Sequence, residues 1–135
     1  METKRKIWRK TLKDCIFCNL DSSRIEKENS LALSFKDLYP VTNGHTLVIP
    51  IRHAQSFFDL TSEEKKAMLE LLESQKAELM KNDKKITGFN IGINDGKDSG
   101  QTVMHCHMHL IPRRKGDMKD PRGGVRGVIP EKQSY

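Results

Sequence analysis

Between Thr102 and Ile111 the chain alternates, and three of its five histidines, His105, His107 and His109, fall two residues apart within that stretch. In a strand, side chains two apart share a face, so the three imidazoles form one row while Cys106, Met108 and Leu110 point the other way, into a core. Pro112 closes the predicted strand. Every buried imidazole needs its own polar partner, so a row of three backed by an apolar row is poorly explained as packing alone.

One ion cannot easily gather the row. At about 3.3 Å per residue the Cα atoms of His105 and His109 stand about 13 Å apart, far beyond what zinc–nitrogen bonds of about 2.0 Å can collect. A neighbouring pair sharing an ion leaves metal-assisted hydrolysis as a minor option. The better division gives the histidines different tasks: a largely neutral imidazole attacks phosphorus while another steadies charge or delivers a proton. Just upstream, Gly100-Gln101-Thr102 sits at a loop-to-strand junction, where backbone N–H groups, an amide and a hydroxyl converge on phosphate oxygens.

The rest of the chain supplies a scaffold. Leu31 to Phe35 and Thr46 to Ile49 read as paired strands around a Tyr39–Gly44 turn. Thr61-Ser-Glu-Glu64 has the form of a capping box and predicts a helix through about residue 82, with Met68, Leu69, Leu72, Leu79 and Met80 as its core stripe. Gly88 to Asn94 reads as a further strand, followed by the glycine-bearing loop Asp95–Gly100. At 135 residues, 36% hydrophobic and 31% charged, this is one domain. Its division is a basic N-terminal extension (1–13), a folded body (14–117) and an extended basic tail (118–135), laid on the body or on a partner chain.

Charge narrows the function. The net +6 resides in the two ends, leaving the body mildly acidic, and only Trp8 and Tyr135 stand there as aromatic residues. That argues against nucleic acid as the partner, since base stacking needs aromatic side chains interleaved with the positive charge. No apolar run approaches the roughly 20 residues of a membrane span, and no secretory signal is evident, so cytoplasmic residence is the expectation. Three cysteines, two of them as Cys15-x-x-Cys18, suit a reducing compartment and half of a tetrahedral zinc site. Two free buried thiols are the alternative reading of that pair.

The run Gly100-Gln-Thr-Val-Met-His105-Cys-His107-Met-His109-Leu-Ile-Pro-Arg113 closely resembles the signature of the histidine triad (HIT) family. Cys15-Ile-Phe-Cys18, Phe35-Lys-Asp37-Leu-Tyr-Pro40, Gly44-His-Thr-Leu-Val-Ile-Pro50 and Asn90-Ile-Gly-Ile-Asn94 extend the likeness over nearly the whole body. The resemblance implies an α+β fold with a five-stranded antiparallel sheet and two helices, a short one near Ala54 to Leu60 preceding the one after Thr61, usually as a homodimer. It makes His107 the nucleophile on a nucleotide α-phosphate, with water then hydrolysing the nucleotidyl-histidine intermediate. His109 aids the leaving group, Asp37 binds ribose, and Asn94, Gly100, Gln101 and Thr102 cradle phosphate and ribose. Ile16 and Phe17 lie where the family builds its apolar base-binding wall.

In zinc-bearing relatives, including galactose-1-phosphate uridylyltransferases, the ligands beyond the cysteine pair resemble His53 and His105. Zinc is then structural, and no organic cofactor is implied. His45 and Cys106 are read as structural residues. Implied substrates are dinucleoside polyphosphates or nucleoside phosphoramidates, with the Gln-Thr before the triad and Pro112-Arg113 after it tilting toward the fragile-histidine-triad branch. Arg122 and Arg126 are candidates for reaching a polyphosphate. The competing readings are a purine-nucleotide binding or partner-docking module with incidental turnover, and an RNA-associated protein using its basic ends.

Overall fold

The computed structural model describes residues 13–135, so the basic N-terminal extension lies, apart from Lys13, outside the described residues. Five strands, β1 (Ile25–Glu28), β2 (Ala32–Lys36), β3 (Thr46–Pro50), β4 (Ile86–Ile93) and β5 (Met108–Arg114), form one antiparallel sheet in the order β1-β2-β3-β5-β4. One long helix, α1 (Ser62–Asn82), packs on β2 and β3. The fold is α+β, with a five-stranded antiparallel sheet as expected. In place of the short first helix there is a single 3₁₀ turn, Phe57–Asp59, capped by the Ser56 hydroxyl, which accepts from the Phe58 N–H at 3.1 Å.

The sheet is covered on both faces. Ala32, Val48, Met108 and Leu110 meet Ala67, Met68, Leu71 and Leu72 of α1 on one side. On the other, Leu33, Phe35, Leu47 and Ile49 gather with Phe17 and Ile51. That explains why β2 and β3 read as nearly unbroken apolar runs: a strand buried on both faces has no polar alternation to show.

α1 begins at the capping box read from the sequence. The Thr61 hydroxyl accepts from the Glu64 N–H at 3.1 Å, and Glu64 Oε1 accepts from the Thr61 N–H at 2.8 Å. Its stripe is corrected, however. Met68 and Leu72 are buried and Leu79 is half-buried, but Leu69 and Met80 are exposed, and the buried face is completed by Ala67, Leu71 and Gln75. Each residue turns the helix by about 100°, so Leu69 is rotated off a face centred on Met68, Leu71, Leu72 and Gln75.

The histidine segment departs from the predicted strand. Regular pairing begins only at Met108 and continues through Pro112 to Arg114, while residues 103–105 bend and 102, 106 and 107 belong to no regular element. There the chain is held by the loop instead: the Cys106 N–H donates to Ala54 O at 2.7 Å. Pro112 is tolerated because β3 pairs β5 only as far as Leu110, leaving β4 as the ladder partner beyond it. The predicted facing survives: Cys106, Met108 and Leu110 enter the helix-side core. The tail is corrected too. It forms 3₁₀ turns at Gly124–Val128 and Pro130–Lys132, the first packed against β4, rather than an extended arm. Among the described residues no helix is long and apolar enough to cross a membrane.

Candidate functional site

Two constellations meet along residues 105–109. In the first, the Cys15–Cys18 turn is brought beside His53, which follows β3, and His105. The ligand atoms of these four residues all lie within 4.8 Å of one another. Cys15 Sγ is 3.4 Å and Cys18 Sγ 3.5 Å from His105 Nδ1, and Cys18 Sγ is 3.3 Å from His53 Nδ1. A sulfur and a nitrogen bound to one tetrahedral zinc stand roughly 3.5 Å apart, so the spacing is that of a zinc site. The outer bond agrees: His105 Nε2 lies 2.8 Å from the Pro50 carbonyl, which accepts only, so the ring's N–H sits there and the Nδ1 lone pair faces the thiols.

The second constellation uses the opposite nitrogen. His107 Nδ1 is 2.8 Å from the His105 carbonyl, so Nδ1 carries the proton and Nε2 keeps the lone pair. Phe17 packs edge-on against this ring at 5.2 Å between centroids and also touches Phe35 at 5.3 Å. His45 completes a chain. The Val41 N–H donates to His45 Nδ1 at 3.0 Å, so His45 Nε2 holds a proton and donates to His109 Nδ1 at 2.9 Å. His109 is thereby left with its N–H on Nε2, a buried atom with no partner among the described residues. Burial, then the neighbouring His107 and His45, push His109 down to about 4, and burial lowers His45 against the pull of Asp37. Both rings are neutral near pH 7.

Of the predicted contacts, Asp37 accepts from the Tyr39 N–H at 2.9 Å and places its other oxygen 3.5 Å from His45 Nε2. Asn94 shares a pocket wall with His45 and His109. Gly100 adopts φ +98°, the left-handed conformation its loop requires. The Gln101 amide, expected to face phosphate, is buried and donates to the Gln55 and Val103 carbonyls at 2.9 and 3.2 Å, while its oxygen accepts from the Gly96 N–H at 2.8 Å. Thr102 and Ile16 line a cleft of about 560 Å³ beside Cys15 and His53. Arg126 is held within the tail, donating to the Lys132 and Gln133 carbonyls. Cys106 is a core residue, its thiol pushed up to about 12 by burial.

His45 is the residue whose part in the site the sequence reading missed. The signal was register: His45 shares a face with Leu47, and Leu47 pairs with His109.

The HIT domain family model matches residues 21–116. An uncharacterized HIT-like protein of Mycoplasma genitalium is 39% identical over 107 residues, covering 76% of this chain and 75% of that protein. The asymmetrical bis(5′-nucleosyl)-tetraphosphatase of Schizosaccharomyces pombe is 37% identical over 100 residues, 73% of this chain and 53% of that one. Among solved structures, a zinc-bound histidine triad family protein from Mycobacterium smegmatis superimposes with a TM-score of 0.69 at 36% identity, covering 79% of this chain and 80% of that one.

Proposed function

The chain belongs to the HIT domain family, and from that premise we propose that it is a hydrolase or nucleotidyl transferase that cleaves at the α-phosphate of a dinucleoside polyphosphate or a nucleoside phosphoramidate. The observation that carries this reading is the tautomer of His107: its N–H is engaged by the His105 carbonyl, which leaves the Nε2 lone pair for attack on phosphorus.

Attack forms the phosphorus–Nε2 bond as the bond to the leaving group breaks, and the ring becomes cationic. The His105 carbonyl, already accepting from Nδ1–H, stabilises that charge at the moment it forms. The leaving atom departs with the bonding electrons and takes its proton from water, while His109, whose tautomer His45 fixes, is the neighbouring ring whose Nε2–H can hydrogen-bond to it. Water then breaks the phosphorus–nitrogen bond, releasing a nucleoside monophosphate and restoring the neutral ring. Two displacements with positioned partners replace one harder one.

In this reading Ile16 and Phe17 bind the base, Asp37 the ribose, and Asn94 and Thr102 the phosphate, with Gly100 and Gln101 holding the loop that carries Thr102. Zinc is held by Cys15, Cys18, His53 and His105 and supplies structure, tying the N-terminal turn to the segment that bears His107. The body acts as a homodimer, with zinc and no organic cofactor. The test is direct: incubate the protein and His107→Ala with diadenosine triphosphate and with an adenosine 5′-phosphoramidate. Monophosphate release by the parent and not by the variant supports the reading. Nucleotide binding without product would instead make the chain a binding module.

A further inference from the structure

The loop between β4 and β5 is closed on itself. The Gln101 N–H donates to Gly96 O at 3.1 Å, and the Gln101 side-chain oxygen accepts from the Gly96 N–H at 2.8 Å, so one residue pair clasps both ends of Gly96–Gln101. Inside the ring, Lys97–Ser99 make a single 3₁₀ turn between Gly96 and Gly100, both at φ +98°. A ring closed in this way has little internal freedom, so its placement depends on what ties it to the body. Asn94 and Thr102, the two residues read as phosphate contacts, flank it on either side.

One short segment of the body holds both ends. Gln55 O accepts from the Gln101 amide at 2.9 Å. At the other end, Asp95 accepts from the Ser56 hydroxyl with both oxygens at 3.0 Å, and its Oδ1 accepts from the Phe57 N–H at 2.8 Å. The same segment reaches further along the chain, where the Ala54 carbonyl takes the Cys106 N–H between His105 and His107. The consecutive residues Ala54 to Phe57 therefore fix the chain at Asp95, Gln101 and Cys106, each next to a residue that the reaction uses.

Asp95 is the anchor whose chemistry is out of keeping with its place. A carboxylate beside a phosphate contact opposes an anionic substrate, and a neutral acceptor would avoid that repulsion. Its charge acts on the tether instead, because hydrogen bonds to an ionised acceptor are about twice as strong as those to a neutral one. The Ser56 hydroxyl is equally committed: its oxygen accepts from the Phe58 N–H at 3.1 Å, and its hydrogen goes to Asp95.

We propose that Asp95 and Ser56 are a positioning pair that sets Asn94 against the substrate phosphate, acting through the loop and touching no substrate themselves. The proposal rests on the preceding reading, in which Asn94 contacts the phosphate, and Asn94 shares a pocket wall with His109. Misplacing such a contact by about 1 Å costs about 10²-fold in rate.

The experiment compares the parent with Asp95→Ala, Ser56→Ala, their double variant and Ser56→Thr. Turnover is followed on diadenosine triphosphate and an adenosine 5′-phosphoramidate, and calorimetry measures the binding of adenosine monophosphate and of adenosine. Asp95→Ala should lower kcat/KM by about 10²-fold, and Ser56→Ala by about tenfold because the Phe57 N–H still holds the carboxylate. Acting as one device, the pair should give a double variant within about threefold of Asp95→Ala. Ser56→Thr, which keeps the hydroxyl at a half-buried position, should return to within about threefold of the parent. Adenosine monophosphate should bind Asp95→Ala at least about tenfold more weakly, whereas adenosine, which has no phosphate, should bind within about twofold of the parent. Thr61→Ala separates position from stability: it breaks the capping box and should lower the urea midpoint while leaving kcat/KM as in the parent.

Losses that multiply in the double variant, a Ser56→Thr rate no better than that of Ser56→Ala, or adenosine binding that falls with that of the monophosphate would overturn the pair's role and leave His107 chemistry intact. So would a loss of rate in Thr61→Ala equal to that in Asp95→Ala. A parent that turns over neither compound would strike the underlying reading, and the two binding measurements would still decide the pair. A parent that binds the monophosphate no better than adenosine would strike both.

Discussion

His105 and His107 stand two residues apart, each giving a ring N–H to a backbone carbonyl, yet they face different chemistry. His105 uses Nε2, toward Pro50, and turns Nδ1 to two thiols; His107 uses Nδ1, toward His105 itself, and keeps its lone pair on Nε2. The residue type sets only what an imidazole can do. Which nitrogen the carbonyl takes decides whether it serves as a ligand or a nucleophile. The two regions are also joined, because the backbone oxygen of the thiol-side histidine is what fixes the tautomer of the other.

The sharpest break in this comparison comes from truncating each ring. His107→Ala should lower kcat by about 10⁴-fold or more, measured as monophosphate release, with little change in metal content. Equal rates in parent and variant would remove the distinction. Cys18→Ala addresses the other half. With zinc about a thousandfold above its dissociation constant, the parent should gain about 4 kcal/mol over its chelated form in urea unfolding, and the variant should gain far less. A variant with the same zinc-dependent gain would show that the cluster is not the site.

Smaller effects test the relay behind His109. His45→Ala should cost about 10²-fold in kcat, because it leaves His109 Nδ1 without its donor and frees the ring to adopt the wrong tautomer. A change confined to KM would mean that His45 only shapes the pocket.

The mildest effect is on pH. Burial depresses His109 to about 4 and also lowers His45, whereas an unfolded histidine titrates near about 6.5. Above that value both states are neutral and stability is flat on their account. Below it the unfolded chain takes up protons that the fold refuses, so stability falls as pH drops from about 6.5 toward about 4. Urea midpoints taken between about pH 7 and pH 5 should show this slope, reduced in His109→Asn; an unchanged slope in that variant would assign the proton uptake to other groups.

Much of this was legible in the chain because it is encoded locally. A capping box involves residues three apart, and Thr61 with Glu64 forms it as read. The order of the triad gave the facing of Cys106, Met108 and Leu110. What escaped depends on partners distant in sequence. The irregular stretch from Gln101 to His107 is held at Gln101 by Gln55 and at Cys106 by Ala54, about fifty residues away. The place of His45 beside His109 follows from the register of β3 on β5, which no local pattern states. Gln75 sits in the centre of the buried helix face because Ser34 on β2 donates to it at 2.8 Å, a pairing that hydrophobic periodicity passes over. The tail misled because its glycines and prolines suit an extended arm as well as they suit tight turns; only its contacts with Gln133 choose between them.

The most direct measurement is to quench turnover rapidly, digest the protein and locate the nucleotidyl group on the histidine-bearing peptide. The account predicts a phosphorus–nitrogen bond on Nε2 of His107. A group on Nδ1 of that ring, on His105 or His109, or on no histidine at all under conditions of active turnover would contradict it.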